Sequence, residues 1–332
     1  MARITIKDLA RKLNINPSTV SRALRNHPDV SASLRETIKQ LADKMGYKPN
    51  HMAINLRRGS SHTIGLIIPE IAPFFFPSLI KAVEEATHAK GYNLLVLHSN
   101  DSIDREIENA EICANMGVDG VLVSLSRQSH DIEHFQELMA AEVPIVFFDK
   151  VIHNSLAHQV VMPGKDAALL AANTLGRSIA TGSRIMGIFA DTRLSITEDR
   201  MTGFKEAIQA LNWPEQAVEL VVADNPEAAR TAFRLAWQSD HRPAAVFAMS
   251  DELLSGIVQV IYQEKIRIPE DLFLVGISDG VLPSYLPFQF PYVKTSGFEM
   301  GTAAAGLLFQ LIRKLPIAAE THYLEIGLVN AG

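Results

Sequence analysis

Two spacings of apolar residues divide the chain. Over the first 50 residues they fall at helical intervals: Leu9, Ala10 and Leu13, then Val20, Ala23 and Leu24, then Leu34, Ile38, Leu41, Ala42 and Met45. The residues between them punctuate three short helices. Thr5-Ile-Lys-Asp8 reads as a capping start with an acid in the first turn. Asn14-Ile15-Asn16 reads as a turn, with Asn16 as N-cap and Pro17 at the first helical position. Ser33-Leu-Arg-Glu36 matches a capping box for the third helix, Ser31 is an equally good cap, and Gly46 ends the helix. Small Ala10 lets the first two helices approach closely, so the segment predicts a helix-turn-helix unit. Its second helix is expected to present Ser18, Thr19, Ser21, Arg22 and Arg25 outward. The same pattern also describes an ordinary three-helix bundle with a solvated face.

From residue 62 the period changes. Short continuous apolar runs predict strands at 63–68, 93–98, 120–124, 144–148, 159–162, 184–189, 218–222, 244–248 and 272–277. Helix-length segments separate most of them, at 79–90, 105–116, 133–141, 167–177, 198–210, 227–237 and 252–264. This repeated alternation predicts an α/β body of two doubly wound parallel-sheet subdomains behind an all-α head. In such sheets ligands bind beyond the C-terminal strand ends. The residues there include Phe74 and Phe76, Asp149, Ser250 and Asp251, and Ser278 and Asp279. Each has a plainer reading: the phenylalanines as core or subunit interface, Asp149 as a partner of Lys150, Asp251 as a helix N-cap.

Charge sharpens the division. The chain of 332 residues has a net charge of −6, 47% hydrophobic residues and one cysteine. Residues 1–60 carry 12 Lys and Arg against 4 Asp and Glu, a net +8, so the remainder carries −14. A basic head on an acidic body is the charge pattern of a polyanion reader. Between them, Pro49 to Ser61 offers about two turns of helix, marginal in isolation. Its Ala53, Leu56, Asn55, Arg57 and Arg58 suit a minor-groove element, while a plain linker ending in Gly-Ser-Ser fits equally. The lone Cys113 excludes an internal disulfide and suits a reducing cytosol. Neither a leader-like apolar run near the start nor an apolar stretch of ~18 residues occurs, so a cytoplasmic chain without membrane contact is expected.

Together, Thr5 to Ala10, Asn16 to Leu24, Val30-Ser31, Gly46 to Asn50, Ala53 and Leu56 resemble the lactose-repressor family of bacterial regulators. The likeness is dense over residues 4–59 and looser to about residue 330. It implies a homodimeric repressor whose paired heads read a palindromic double-stranded operator, with paired hinge helices in the minor groove. It also implies a periplasmic-binding-protein-like core, with crossovers near 160–162, 290–293 and 321–323, where a small effector alters DNA affinity. On this footing Ser18, Thr19 and Arg22 would read the major groove. Ala53 and Leu56 would enter the minor groove, Asn50 would touch backbone, and Thr5, Ser21, Asn26 and Arg57 complete the DNA-facing candidates. Domains are expected at 1–48, 49–61 and 62–332. The N-subdomain would comprise about 62–160 with 293–321, and the C-subdomain about 161–292 with 322–330. Arg200, in Asp199-Arg-Met-Thr-Gly-Phe204, is similar to the family's Arg-x-x-Gly-aromatic signature, whose Arg lies at the effector cleft.

The chain departs from the family pattern at Ala72, at Met162-Pro-Gly164 and at Ser278, all near the expected cleft. The effector expectation is therefore broad: a polar metabolite, sugar-like or sugar-acid-like, with planar Arg able to grip a carboxylate or phosphate. The rivals are a small-molecule-binding protein with no DNA role, and an α/β hydrolase. For the latter, Gly276-Ile-Ser-Asp-Gly280 matches a nucleophile elbow, but two prolines in 281–287 argue against the helix an elbow needs. Neither nucleotide-loop signatures nor metal-spaced ligands occur, so no catalytic residue, cofactor or metal is expected.

Overall fold

The computed structural model describes residues 4–47, 60–71, 73–152, 157–317 and 320–330. Asn50, Ala53, Leu56 and Arg57, and Ala72, lie outside the described residues. The chain forms two compact units, Met1–Ser61 and His62–Gly332.

The first unit contains α1 (Ile6–Leu13), α2 (Pro17–Leu24) and α3 (Ala32–Lys44). Thr5 and Asp8 form a reciprocal capping box on α1, the Thr5 hydroxyl accepting from Asp8 N at 3.3 Å and Asp8 Oδ2 from Thr5 N at 3.0 Å. Asn16 caps α2, its Oδ1 accepting from Ser18 N at 2.9 Å, and Pro17 fills the first helical position. Ser31, not Ser33, caps α3, its hydroxyl accepting from Leu34 N. The 33–36 box is therefore not formed, because the helix has already begun at Ala32. Leu9, Ala10, Val20, Ala23, Val30, Ile38 and Ala42 form the small core.

The second unit opens with β1 (Thr63–Ile68), α4 (Phe76–Ala89), β2 (Asn93–His98), α5 (Ile103–Met116), β3 (Gly120–Val123) and α6 (Gln136–Ala140), the last entered by a 3-10 turn. β4 (Ile145–Phe148), β5 (His158–Val161), α7 (Gly164–Ser178), β6 (Ile185–Phe189), α8 (Ser195–Ala210) and β7 (Val218–Val222) follow. Next come α9 (Pro226–Gln238), β8 (Ala245–Ala248), α10 (Asp251–Gln263), β9 (Phe273–Ser278), α11 (Val281–Ser284), β10 (Tyr292–Lys294), α12 (Gly297–Ile312), β11 (Thr321–Tyr323) and β12 (Gly327–Val329).

Two six-stranded sheets result, ordered β11-β5-β4-β3-β1-β2 and β12-β10-β9-β8-β6-β7, parallel except where β12 runs against β10. β1 lies in register between β2 and β3, and five of its six residues are buried. The chain passes between sheets three times: after β5, after β10 and after β11. α12, flanked by the last two passages, packs against the first sheet through Met300, Ala304, Ala305 and Leu308. Small residues permit this, since a Cβ on Gly301 would lie 2.6 Å from the Leu79 carbonyl oxygen.

α11 corrects one expectation. A helical turn does follow Gly276-Ile-Ser-Asp-Gly280, because Pro283 falls in the first turn, where its missing N–H costs nothing.

Candidate functional site

In the head, the capping of α2 by Asn16 fixes which residues emerge from its first turns. Ser18 and Arg22 are exposed on the side away from the Val20–Ala23 core contact, and Thr19 is half-buried. Among the described residues Arg22 pairs only with Asp29, at 3.9 Å, and both side chains are largely in solvent. Ser21 was expected to face outward. It is instead buried at 9% exposure, and its hydroxyl accepts from Arg25 Nη2 at 2.8 Å. Arg25, one turn on, folds back over it and also donates to its carbonyl. Asn26, in a left-handed turn just past α2, is exposed, as is Thr5. Arg35 donates to the carbonyls of His27 and Val30 at 3.1 and 2.9 Å, so the loop after α2 is braced from α3.

In the body, the C-terminal ends of both sheets face one cleft. Phe74, Phe76, Asp149, Arg200, Ser250, Asp251 and Asp279 all line it. Ser278 does not; it is buried just behind, its hydroxyl donating to Asp251 Oδ1 at 2.5 Å. Ser250, not Asp251, caps α10, its hydroxyl accepting from Leu253 N. This leaves the Asp251 carboxylate to accept from Ser278 Oγ and, at 2.8 Å, from Asp279 N. No histidine lines the cleft among the described residues, so no imidazole base faces Ser278 from it as a hydrolytic elbow would need.

Other lining residues went unread in the sequence: Glu70, Arg127, Lys150, Asp191, Asp224 and Glu252. The signal for several was available. Asp191 and Asp224 each stand two residues beyond a strand that had been recognised, as Asp149 stands one beyond β4.

Electrostatics are arranged in pairs. Arg127 clasps Asp101 through Nε at 2.7 Å and Nη2 at 2.6 Å, and Lys150 reaches the other oxygen at 3.5 Å. Burial would raise the Asp101 carboxyl, but these two cations outweigh it and leave the group below the usual carboxylate range. Asp149 therefore does not take Lys150 as its ion-pair partner. Burial holds Asp149 above the usual range, with Lys150 and Arg200 opposing.

Arg200 is 7% exposed and donates through Nη1 to the Met249 carbonyl at 2.7 Å. Its Nε is buried with no acceptor among the described residues. Burial pulls its guanidinium down to about 10, against Asp149, Asp251 and Asp199, so it remains charged at neutral pH. Asp251 is pushed up to about 7, chiefly by burial, the hydrogen bonds from Ser278 and Asp279 N opposing and the Asp279 carboxylate adding.

Among the described residues, two hydrogen bonds join the lobes across the cleft. Phe75 N donates to Asp279 Oδ2 at 2.9 Å, and Ser195 Oγ donates to the Val151 carbonyl at 3.0 Å. Phe75 has φ +44°, an unfavourable conformation for a bulky residue, and a carboxylate from the opposite lobe helps hold it there.

The sequence pattern described as "Bacterial regulatory proteins, lacI family" matches residues 5–50, and that of a "Periplasmic binding protein-like domain" matches residues 178–330. The chain belongs to the lacI family of bacterial regulatory proteins. The Ribose operon repressor of Halalkalibacterium halodurans is 28% identical over 97% of this chain and 94% of its own. The HTH-type transcriptional repressor PurR of Vibrio vulnificus is 26% identical over 93% and 92%. The solved lac repressor dimer bound to operator and the anti-inducer ONPF shares the fold, with a TM-score of 0.85 over 99% of this chain and 98% of that one at 17% identity. This lacI-family chain is a DNA-binding transcriptional regulator with a ligand-binding core. No helix among the described residues is long and apolar enough to cross a membrane.

Proposed function

We propose that this lacI-family regulator is a cytoplasmic, homodimeric repressor without catalytic turnover, released from or fixed to a palindromic operator by a sugar-like metabolite bound between the lobes. The domain division expected above (1–48, 49–61 and 62–332) is part of this reading. Ser18, Thr19 and Arg22 read base edges in the major groove, with Arg22 as bidentate donor to guanine. Thr5, Asn26 and Asn50 contact backbone, Ala53 and Arg57 follow the minor groove, and Leu56 wedges a base step. The linker pair orders only when both heads are correctly spaced, because a helix so short is marginal alone. Effector binding favours one lobe arrangement and, through linkage, changes that spacing.

The observation that carries the reading is the exposed Ser18–Arg22 edge of a helix whose start is fixed by Asn16, within a segment of net charge +8. Selection of bound duplexes from a randomised pool tests it. The enriched sequences are expected to be palindromic. Arg22→Ala is expected to lose preference at one symmetric base pair, a cost of about 1–3 kcal/mol, while still binding duplex. An unchanged preference in that variant, or enrichment without symmetry, overturns it.

A further inference from the structure

We propose that the effector is an amine-bearing polyol, of the aminated-carbohydrate class, whose ammonium group sits between Glu70 of one lobe and Glu252 of the other. This deepens the reading of the cleft as the effector site and rests on it.

The cations of the cleft are already engaged. Arg127 and Lys150 share Asp101, and Arg200 donates to the Met249 carbonyl with Asp149 and Asp251 close by. None is left unopposed to receive a ligand carboxylate or phosphate. Three of the seven lining acids are also committed, and two more lie in the field of neighbouring cations, Asp149 with Lys150 and Arg200, and Asp224 with Arg127 and Arg193. Asp251 accepts from Ser278 and Asp279 N, Asp279 accepts from Phe75 N and Val281 N, and Asp191 is gripped by Arg193.

Glu70 and Glu252 are different. Glu70 stands two residues beyond β1, Glu252 is the second residue of α10, and both line the cleft from opposite lobes. Neither carboxylate has a hydrogen bond or ion pair with any described residue. Burial chiefly, and then the fields of Glu70, Asp149 and Asp101 with Lys150 opposing, hold the Glu252 carboxyl above the usual range. Two like charges thus face each other from the two lobes, an arrangement that a bridging cation converts from repulsion to attraction.

A second observation points to the rest of the ligand. The buried Arg200 Nε lacks an acceptor, and a ligand hydroxyl or ring oxygen would supply one. Phe74, Phe75 and Phe76 form an aromatic wall, suited to the apolar face of a sugar ring and to an ammonium over the ring faces. A donor-rich, singly charged ring satisfies all three features; a neutral sugar leaves the acid pair unneutralised.

The test measures melting shifts and calorimetric affinities of the full-length protein with glucosamine, galactosamine and mannosamine, each beside its neutral parent hexose and the corresponding uronic acid. The expected result is that at least one amine binds about tenfold or more tighter than its parent, with the acid weaker still. E252Q and E70Q are expected to erase that preference, so that amine and parent bind alike, without lowering the melting temperature of the unliganded protein. If parent hexoses or uronic acids bind as tightly as the amines and alter operator affinity, the amine assignment falls and the cleft remains the effector site. If the amine preference survives both substitutions, the acid pair is not its receptor and the proposal falls. If no compound of the panel shifts melting or operator affinity, both the amine assignment and the sugar-sensing reading fall.

Discussion

Asp251 shows how one buried carboxyl acquires a pH signature. Its two hydrogen bonds favour the ionised form, but burial and the Asp279 carboxylate outweigh them and carry it from 3.8 to about 7. A carboxyl raised on folding stabilises the fold below its unfolded value near 4, and that contribution is lost as pH climbs through 7. Asp251→Asn is a near-isostere of the protonated acid. Its melting temperature is expected to exceed that of the wild type by a small margin at pH 5 and by a larger one at pH 8, the latter up to a few kcal/mol in stability. Melting curves at the two pH values check this, and equal differences at both would show that Asp251 is ionised throughout. Cys113 illustrates the inert alternative: burial pushes its thiol up to about 12, so it behaves as a small apolar residue beneath β1.

At the scale of elements, Arg200-x-x-Gly203-Phe204 acts as a packing device that delivers one side chain to the cleft. A Cβ on Gly203 would lie 2.0 Å from the Lys165 carbonyl oxygen, so α7 and α8 touch backbone to backbone there. Phe204 is fully buried against Phe189 and Phe247, which fixes the rotation of α8 and therefore the direction of Arg200 one turn earlier. Gly203→Ala is expected to cost about 1–3 kcal/mol through overpacking, lowering the melting temperature by several degrees and disturbing Arg200. A thermal melt decides, and an unchanged midpoint would mean the helices part without cost.

Elements with a clean period were legible in the sequence. β1, β2 and β7 lie where their apolar runs end, and Asn16-Pro17 marked the start of α2 to the residue. α12 was not legible, because glycines at 297, 301 and 306 and alanines at 303–305 read as breakers and filler. Gly297 and Gly301 serve close approach to the start of α4, which periodicity does not encode. β11 and β12 are three residues each and partly exposed, too short to show alternation. The cleft was half legible. The rule of strand ends found Asp149, Ser250 and Asp279, but which carboxylates stay unpaired depends on partners far apart in sequence, such as Asp101 with Arg127 and Asp279 with Phe75.

Over the whole molecule, charge separates the two tasks. The net −6 is the sum of +8 within residues 1–60 and −14 beyond them. A polyanion is therefore attracted by the head and repelled by the body, so the electrostatic share of binding comes from the first 60 residues. Arg11 and Arg22 are exposed on the head, ready to displace condensed counterions from phosphates. The proposed dimer would present two such heads, and about 6–10 phosphate contacts would weaken affinity roughly 10³–10⁵-fold between 50 and 200 mM salt. The base readout proposed for Arg22 would rest on matched hydrogen bonds, so Arg22→Ala should shift the whole salt line downward on the selected operator while changing its slope by at most about one contact per head. Fluorescence anisotropy across a salt series measures both quantities. A flat line for the wild-type protein would mean that the basic surplus is not what holds DNA, and a large loss of slope in the variant would make Arg22 a phosphate contact instead of a base reader.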